Sequence, residues 1–396
     1  MNAPGPIRSK PIRGSLPAVI AAAICIQAAQ GIFDVCLPLR GKDAGLSATA
    51  FGWTGAANAL GFLAGAFLAP AALRRIGGFS ILAASSLLAS PLVILGWTSS
   101  KAIWLAVRLA AGFSFAMMFA STDTAVLDCA PVEQRSRAIG IYVMFERLAT
   151  MIMPFAFAGS LAAPTTLAYG LCCLWASLLF GRALRPSHPP APRIGDKLSS
   201  TFHRAWLLAP TAVLCAFAAG ALNSSTLVLL PRWVDGELGE KAVPMVQAAT
   251  WCGALTIQLS VGFLARPGAR MRAGIWLSPA AGLALLCIPI AARAGLAATA
   301  LAGVFLGLTG FSQYGLALIA MGEIAAQREQ PPPSSSLVFA WGMGAVLGPM
   351  SCSALGLYAR PDLIFNVLGC VWLTIPFAGW IASFRASPPA ATTAGL

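Results

Sequence analysis

The sequence predicts an all-α integral membrane protein of twelve transmembrane helices in two six-helix, pseudo-symmetric halves, and three observations predict it. Of 396 residues, 58% are hydrophobic and 10% charged, against about 45–50% and ~25% in soluble domains. With a mean hydropathy of +0.78, the chain has too few charges to cover a soluble surface. Apolar runs of the roughly 20 residues needed to cross a bilayer recur along the whole chain. Lys and Arg density alternates from one connection to the next, as the positive-inside rule requires.

The elements follow in order. The first run, 16–39, comes after Arg8, Lys10 and Arg13 and carries Asp34. It is too long for a cleaved signal segment, and its loss would invert the loop charges of the remaining eleven helices. Runs 47–73 and 79–97 are separated by Arg74, Arg75 and Gly77. The fourth, 102–128, holds Arg108 and Asp123, with Asp128 at its end. The fifth, 138–161, begins "AIGIYVMFERLATMIMPFAF", with Glu146 and Arg147 near the middle of an apolar stretch. After the sixth, 165–184, comes "RPSHPPAPRIGDKLSSTFHRA" (185–205), rich in proline and charge and without apolar period. It reads as a cytoplasmic linker between an N-terminal bundle, 1–184, and a C-terminal bundle, 206–396. That second bundle holds runs 206–233, 243–265, 273–292, 295–325, 334–359 and 362–384. Asn223 lies on the seventh run; Gln313, Tyr314 and Glu323 lie on the tenth. Asn223 heads an Asn-Ser-Ser glycosylation triplet, but inside a span no transferase reaches it.

With the N-terminus inside, seventeen Lys and Arg fall on inner segments and seven on outer ones, leaving Arg108 and Arg147 within spans. Both termini and the linker are therefore expected in the cytoplasm, in a cell inner membrane. The net charge of +13 then needs no nucleic-acid partner. The ten cysteines lie almost all in apolar runs and form no C-x-x-C, so they read as small hydrophobes. The two histidines, His188 and His203, share the linker. No metal site, cofactor or catalytic set is expected, and no P-loop points to ATP-driven chemistry.

Ionisable groups within spans cost about 2.5–3.5 kcal/mol each on insertion scales and mark a function or a structural pair. Those here are Asp34, Arg108, Asp123, Glu146, Arg147 and Glu323. At 1.5 Å per residue, Asp34 and Arg108 both lie about 8–9 Å below the outer surface, a depth-matched pair on the first and fourth helices. Asp123 and Arg147 share a depth nearer the inner surface. Adjacent helical residues point about 100° apart, so Arg147 is expected to pair with Asp123, leaving Glu146 to face a cavity or another helix.

The architecture resembles the major facilitator superfamily, and local motifs carry the resemblance. "PAALRRIGG" (70–78) is similar to the family's loop after the second helix, with Arg74, Arg75 and Gly77 in register. Arg74, and Arg266 in the repeat "GFLARPGARMR" (262–272), stand where the family has an acid, so an acid-mediated latch between the halves is not implied. "RLAAGFSFA" (108–116) matches the family's R-x-x-x-G motif at Arg108 and Gly112, and Pro154 matches a degenerate antiporter motif. The spacing from Arg108 to Asp123, and of "GFSQYGLALIAMGE" (310–323) to "GMGAVLGP" (342–349), resembles the YcaD-like branch. The resemblance implies a midplane site between the halves, lined by the first, fourth, seventh and tenth helices with Asp34, Arg108, Asp123, Asn223, Gln313, Tyr314 and Glu323. Glycine pairs at four-residue spacing, Gly61–Gly65 and Gly344–Gly348, read as close helix packing.

The expectation is a monomeric secondary transporter, not an enzyme, moving a small organic solute by rocking of the halves. Trp53, Trp251, Trp341 and Tyr314 would suit a flat aromatic or vitamin-like solute. Carboxyl groups away from water exchange protons near neutral pH, which makes Asp34, Asp123, Glu146 and Glu323 candidates for proton coupling. The rivals are a drug or toxic-compound efflux antiporter and a non-transporting sensor or assembly factor of the same fold.

Overall fold

The computed structural model describes residues 16–129, 135–157, 160–182, 198–264, 269–327 and 334–386. The basic leader, linker residues 183–197 with His188, Arg266 and Arg328 lie outside the described residues. Among the described residues every regular element is helical.

The first half comprises α1 (Leu16–Asp43), α2 (Ala48–Ile76), α3 (Gly78–Ala89), α4 (Lys101–Cys129), α5 (Arg135–Ile152) and α6 (Pro164–Gly181). Pro91 and Pro154 lack the N–H that an α-helical ladder needs. At these points α3 continues as the 3-10 segment Ser90–Gly96, and α5 as Met153–Phe157. After α7 (Leu198–Leu208) come α8 (Pro210–Leu238), α9 (Val243–Leu264) and α10 (Ala269–Arg293). The tenth span is α11 (Leu296–Leu306) and α12 (Gln313–Gln327), joined by the π-helical turn Gly307–Phe311. Then come α13 (Ser334–Ala354) and α14 (Pro361–Ala386).

One expectation is corrected. The C-terminal end of the linker is helical: α7 covers 198–208 and presses Phe202 onto the ring of Phe339 at 5.9 Å. Ala209 (φ −152°, ψ 73°) breaks it, and Pro210 opens α8 at its first position, where a missing N–H loses no hydrogen bond. The seventh span therefore begins at 210 rather than 206. α1 and α8 also run to Asp43 and Leu238, past the apolar ends read at 39 and 233.

Eight helical segments among the described residues are long and apolar enough to cross a membrane. Large apolar side chains point outward all round the bundle, among them Leu87, Leu179 and Leu301 at 65–70% exposure. Water would penalise such a surface; lipid does not.

Without a hydrophobic drive between helices in lipid, close backbone approach carries the packing. On α2, a Cβ at Gly61 would stand 2.0 Å from the Leu109 carbonyl; on α4, a Cβ at Gly112 would stand 1.9 Å from the Asn58 carbonyl. The α9–α11 contact repeats the device with Gly253 and Gly303, continued by Gly307 at the π-helical turn. α1 packs on α5 and α6, and α8 correspondingly on α13 and α14. Between the halves, α1 meets α8, α2 meets α8 and α13, and α5 meets α9.

The end of the bundle bearing the short turns after α1, 3-10 segment Ser90–Gly96, α8 and α10 is here termed the turn face, and the opposite end the linker face. Three polar clasps close the turn face between the halves. Lys42 pairs with Asp235 at 2.5 Å. Arg232 donates from both terminal nitrogens to the Leu46 carbonyl at 3.2 Å. Glu240 accepts from the Leu161 and Ala162 N–H groups at 2.7 and 3.3 Å. Behind them Gly52 leaves no room for a Cβ beside Ser353 and Tyr358. The Lys42–Asp235 pair is partly exposed and so worth about 0.2–1 kcal/mol. Lys42→Ala should shift the population toward an open turn face by at most about fivefold, read as longer spin-label distances between positions 44 and 237. An unchanged distance distribution would show that the pair does not bias the closed state.

Candidate functional site

Asp34 sits in α1 nine residues before its end, and Arg108 in α4 seven residues after its start. At 1.5 Å per residue that is roughly 10–14 Å from the turn-face ends. The two are electrostatic neighbours, and both stay partly accessible. Gln30, one turn earlier on α1, is a hydrogen-bond neighbour of the Asp34 carboxylate. Yet Asp34 Oδ2 and Arg108 Nε are buried atoms without a hydrogen-bond partner among the described residues. A carboxylate and a guanidinium each keep a free valence deep in the bundle, where unsatisfied polar atoms are costly.

Other unpartnered atoms belong to the same interior. They include Asn223 Oδ1 on α8, Gln247 Oε1 and Trp251 Nε1 on α9, and Gln313 Oε1 on α12. Gln313 is fully buried and its amide nitrogen donates back to the Thr309 carbonyl at 2.8 Å, in the π-helical turn. Such a turn commonly marks a functional position in a helix.

Aromatic rings lead from α1 to α12 in a chain of contacts. Phe33 touches Phe115, which touches Phe119; Phe119 meets Phe62 of α2; Phe62 meets Trp341 of α13; Trp341 meets Tyr314 of α12, with centroids 5.8–6.3 Å apart. A second route passes from α1 through Arg147 to Trp251, whose indole lies 5.3 Å from Phe311. The two routes flank the space between α4 and α12, which do not pack extensively on each other over their described residues. Trp53, expected to join this set, is 40% exposed and takes no part in these ring contacts.

The expected pairing of Arg147 with Asp123 is corrected. The Arg147 guanidinium lies over the Trp251 ring, 5.0 Å from its centroid, a cation–π contact between α5 and α9. Asp123 accepts a 2.6 Å hydrogen bond from the Tyr142 hydroxyl, which also meets Thr122 at 3.2 Å. Glu146, one turn on along α5, is 8% exposed and neighbours the same hydroxyl as well as Gln27 of α1. Gln27 in turn accepts from Thr150 at 3.1 Å. Glu146 thus faces a polar cluster between α1, α4 and α5.

Among the remaining expected residues, Glu323 lies in α12, and its side chain is outside the described residues. Arg74 and Arg75 end α2, exposed and without an acidic partner among the described residues. Gly77 caps that helix at φ 79° and donates to the Leu73 carbonyl, a conformation open to glycine at little cost. Sequence reasoning passed over Gln30, Tyr142 and Gln247. Gln30 and Tyr142 each lie one turn from a residue that it did select, Asp34 and Glu146.

A family model described as Major Facilitator Superfamily matches residues 19–349. A search of curated proteins finds no significant match. Among solved structures, the nucleoside transporter NupG resembles the chain with a TM-score of 0.73 and 12% identity, over 93% of this chain and 98% of that one. A mutant form of NupG gives 0.76 and 11%, over 93% and 99%. The peptide transporter POT in complex with sulfate gives 0.70 and 11%, over 96% and 97%.

Proposed function

Starting from a chain that belongs to the Major Facilitator Superfamily, we propose a secondary transporter that moves a small organic solute by alternating access and couples it to protons. The observation that carries the reading is the set of unpartnered buried polar atoms on α1, α4, α8, α9 and α12. A static bundle would have satisfied or replaced them; a solute with its own donors and acceptors completes them on binding. Asp34 and Arg108 supply one acceptor and one donor of opposite charge, and Asn223, Gln247 and Gln313 supply amide oxygens.

Trp251, Trp341 and Tyr314 line this region with rings, which favours a flat aromatic or vitamin-like solute over a polyanion. A nucleoside transporter and a peptide transporter share the fold; the fold itself carries no substrate. The two six-helix halves are taken as 1–184 and 206–396, with both termini on the cytoplasmic side of the inner membrane and the chain acting as a monomer. The turn face is then the outer face, and the structure is closed to the outside. The motif spacing supports membership of the YcaD-like branch.

A ligand that binds only the folded protein raises its apparent stability, so a screen of heterocyclic metabolites by thermal unfolding identifies the solute. Uptake of that solute into proteoliposomes should follow an imposed pH gradient. Uptake indifferent to the gradient would remove the proton from the reading, and a screen without any stabilising solute would remove the transport reading.

A further inference from the structure

Three titratable side chains outside the Asp34–Arg108 pair are strung together between α4 and α5. Asp123 is exposed, six residues from the linker-face end of α4. Tyr142 is 4% exposed and donates to Asp123 Oδ1 at 2.6 Å. Glu146 is 8% exposed and stands one helical turn after Tyr142 on α5, a near neighbour of its hydroxyl. A phenol carries one proton and donates to one carboxyl at a time. An accessible acid, a buried hydroxyl and a buried acid in this order make a path rather than a static bond.

We propose that Asp123, Tyr142 and Glu146 form a proton relay from the linker face to the middle of the bundle, loading and unloading Glu146 separately from the solute-facing pair Asp34 and Arg108. In the inward step, the Asp123 carboxylic acid gives its proton to the Tyr142 oxygen as the phenolic proton passes to the Glu146 carboxylate. Asp123 ends as a carboxylate, Glu146 as an acid and Tyr142 unchanged. The proton received from Asp123 leaves the hydroxyl donating to the Asp123 carboxylate, the arrangement seen here, and the hydroxyl turns toward Glu146 before the next transfer.

Arg147 ties the relay to conformation. In this closed-turn-face state its charge is held over Trp251 on the other half. The charged groups that face Glu146 from neighbouring elements are Asp123 on α4 and Arg147 on its own helix; α1 contributes Gln27 beside it and Asp34 toward Arg147, and α9 contributes the neutral Trp251 and Gln247. When α5 and α9 separate, the guanidinium loses the indole and the field that it exerts on Glu146 changes with it.

The relay takes its purpose, though not its geometry, from the proton-coupled reading, so its test needs no solute. Full-length protein in lipid vesicles is transferred into D2O, and exchange at the carboxylic-acid C=O band is followed by infrared spectroscopy. Glu146→Gln should remove the exchanging band. Tyr142→Phe, which keeps the ring and its packing, should retain the band and slow its exchange by roughly 100-fold, the lower end of what a positioned proton carrier contributes. Asp123→Asn should slow it likewise. A band that survives Glu146→Gln, or exchange at the wild-type rate in Tyr142→Phe and Asp123→Asn, overturns the relay. Solute uptake that ignores a pH gradient while the exchange results hold would instead overturn the proton-coupled reading.

Discussion

Arg108→Ala is expected to abolish solute uptake and to cost about 3 kcal/mol of stability, the lower end of what removing one member of a buried charge pair costs. That figure is an upper value, because the two groups retain some accessibility and are electrostatic neighbours without an ion-pair contact within 4 Å. The change leaves Asp34 with its nearest cation gone and its Oδ2 already without a partner. Asp34→Asn combined with Arg108→Gln should recover most of the lost melting temperature, since no uncompensated charge remains, yet leave uptake abolished. Thermal unfolding and proteoliposome uptake on the two singles and the double check both halves of this expectation. Singles as stable as the parent would show that the two charges are not coupled. A double variant that transports would show that they do not bind solute.

Gly112→Ala should be more damaging than its single methyl group suggests. The obstacle is the Asn58 carbonyl at 1.9 Å, part of the backbone of α2, with no rotamer to move aside. Overpacking usually costs about 1–3 kcal/mol, and an immovable obstacle places this change at the top of that range. Gly61→Ala meets the Leu109 carbonyl across the same seam at 2.0 Å. Once one alanine has forced α2 from α4, the second should cost less, so the two should be sub-additive, as expected of residues in contact. Leu87→Ala, on the lipid-facing surface at 65% exposure, should stay within about 0.5 kcal/mol. Gel filtration and melting curves on these variants read the difference directly, and a Gly112→Ala protein as stable as Leu87→Ala would contradict the seam.

The spans were legible because a bilayer imposes length and polarity at once. Their ends were less so: α1 and α8 keep their backbone ladder past the last apolar residue, as far as Lys42 and Asp235, where composition already reads as loop. α7 went unseen because Leu198, Phe202 and Trp206 form a single narrow stripe among polar residues. The π-helical turn at Gly307–Phe311 has no signature in hydropathy at all.

Within the site, depth along a helix was legible and azimuth was not. Asp34 and Arg108 were matched by depth and are electrostatic neighbours. Asp123 and Arg147 were also matched by depth, but Arg147 turns toward Trp251 of the other half. Tyr142 escaped selection because a tyrosine in an apolar run counts as hydrophobe, although its hydroxyl is what Asp123 is hydrogen-bonded to.

The clasps on the turn face carry a consequence for the medium around the molecule. At about 0.1 M salt, charges are screened over ~10 Å, and at 1 M over ~3 Å. Lys42, 46% exposed, feels that electrolyte most, whereas Glu240 is held by two backbone N–H groups and Arg232 is half-buried against Leu46. Rising ionic strength should therefore loosen the closed face in sequence, Lys42–Asp235 first and Glu240 last. The resting conformation of the protein becomes a function of the salinity at its turn face.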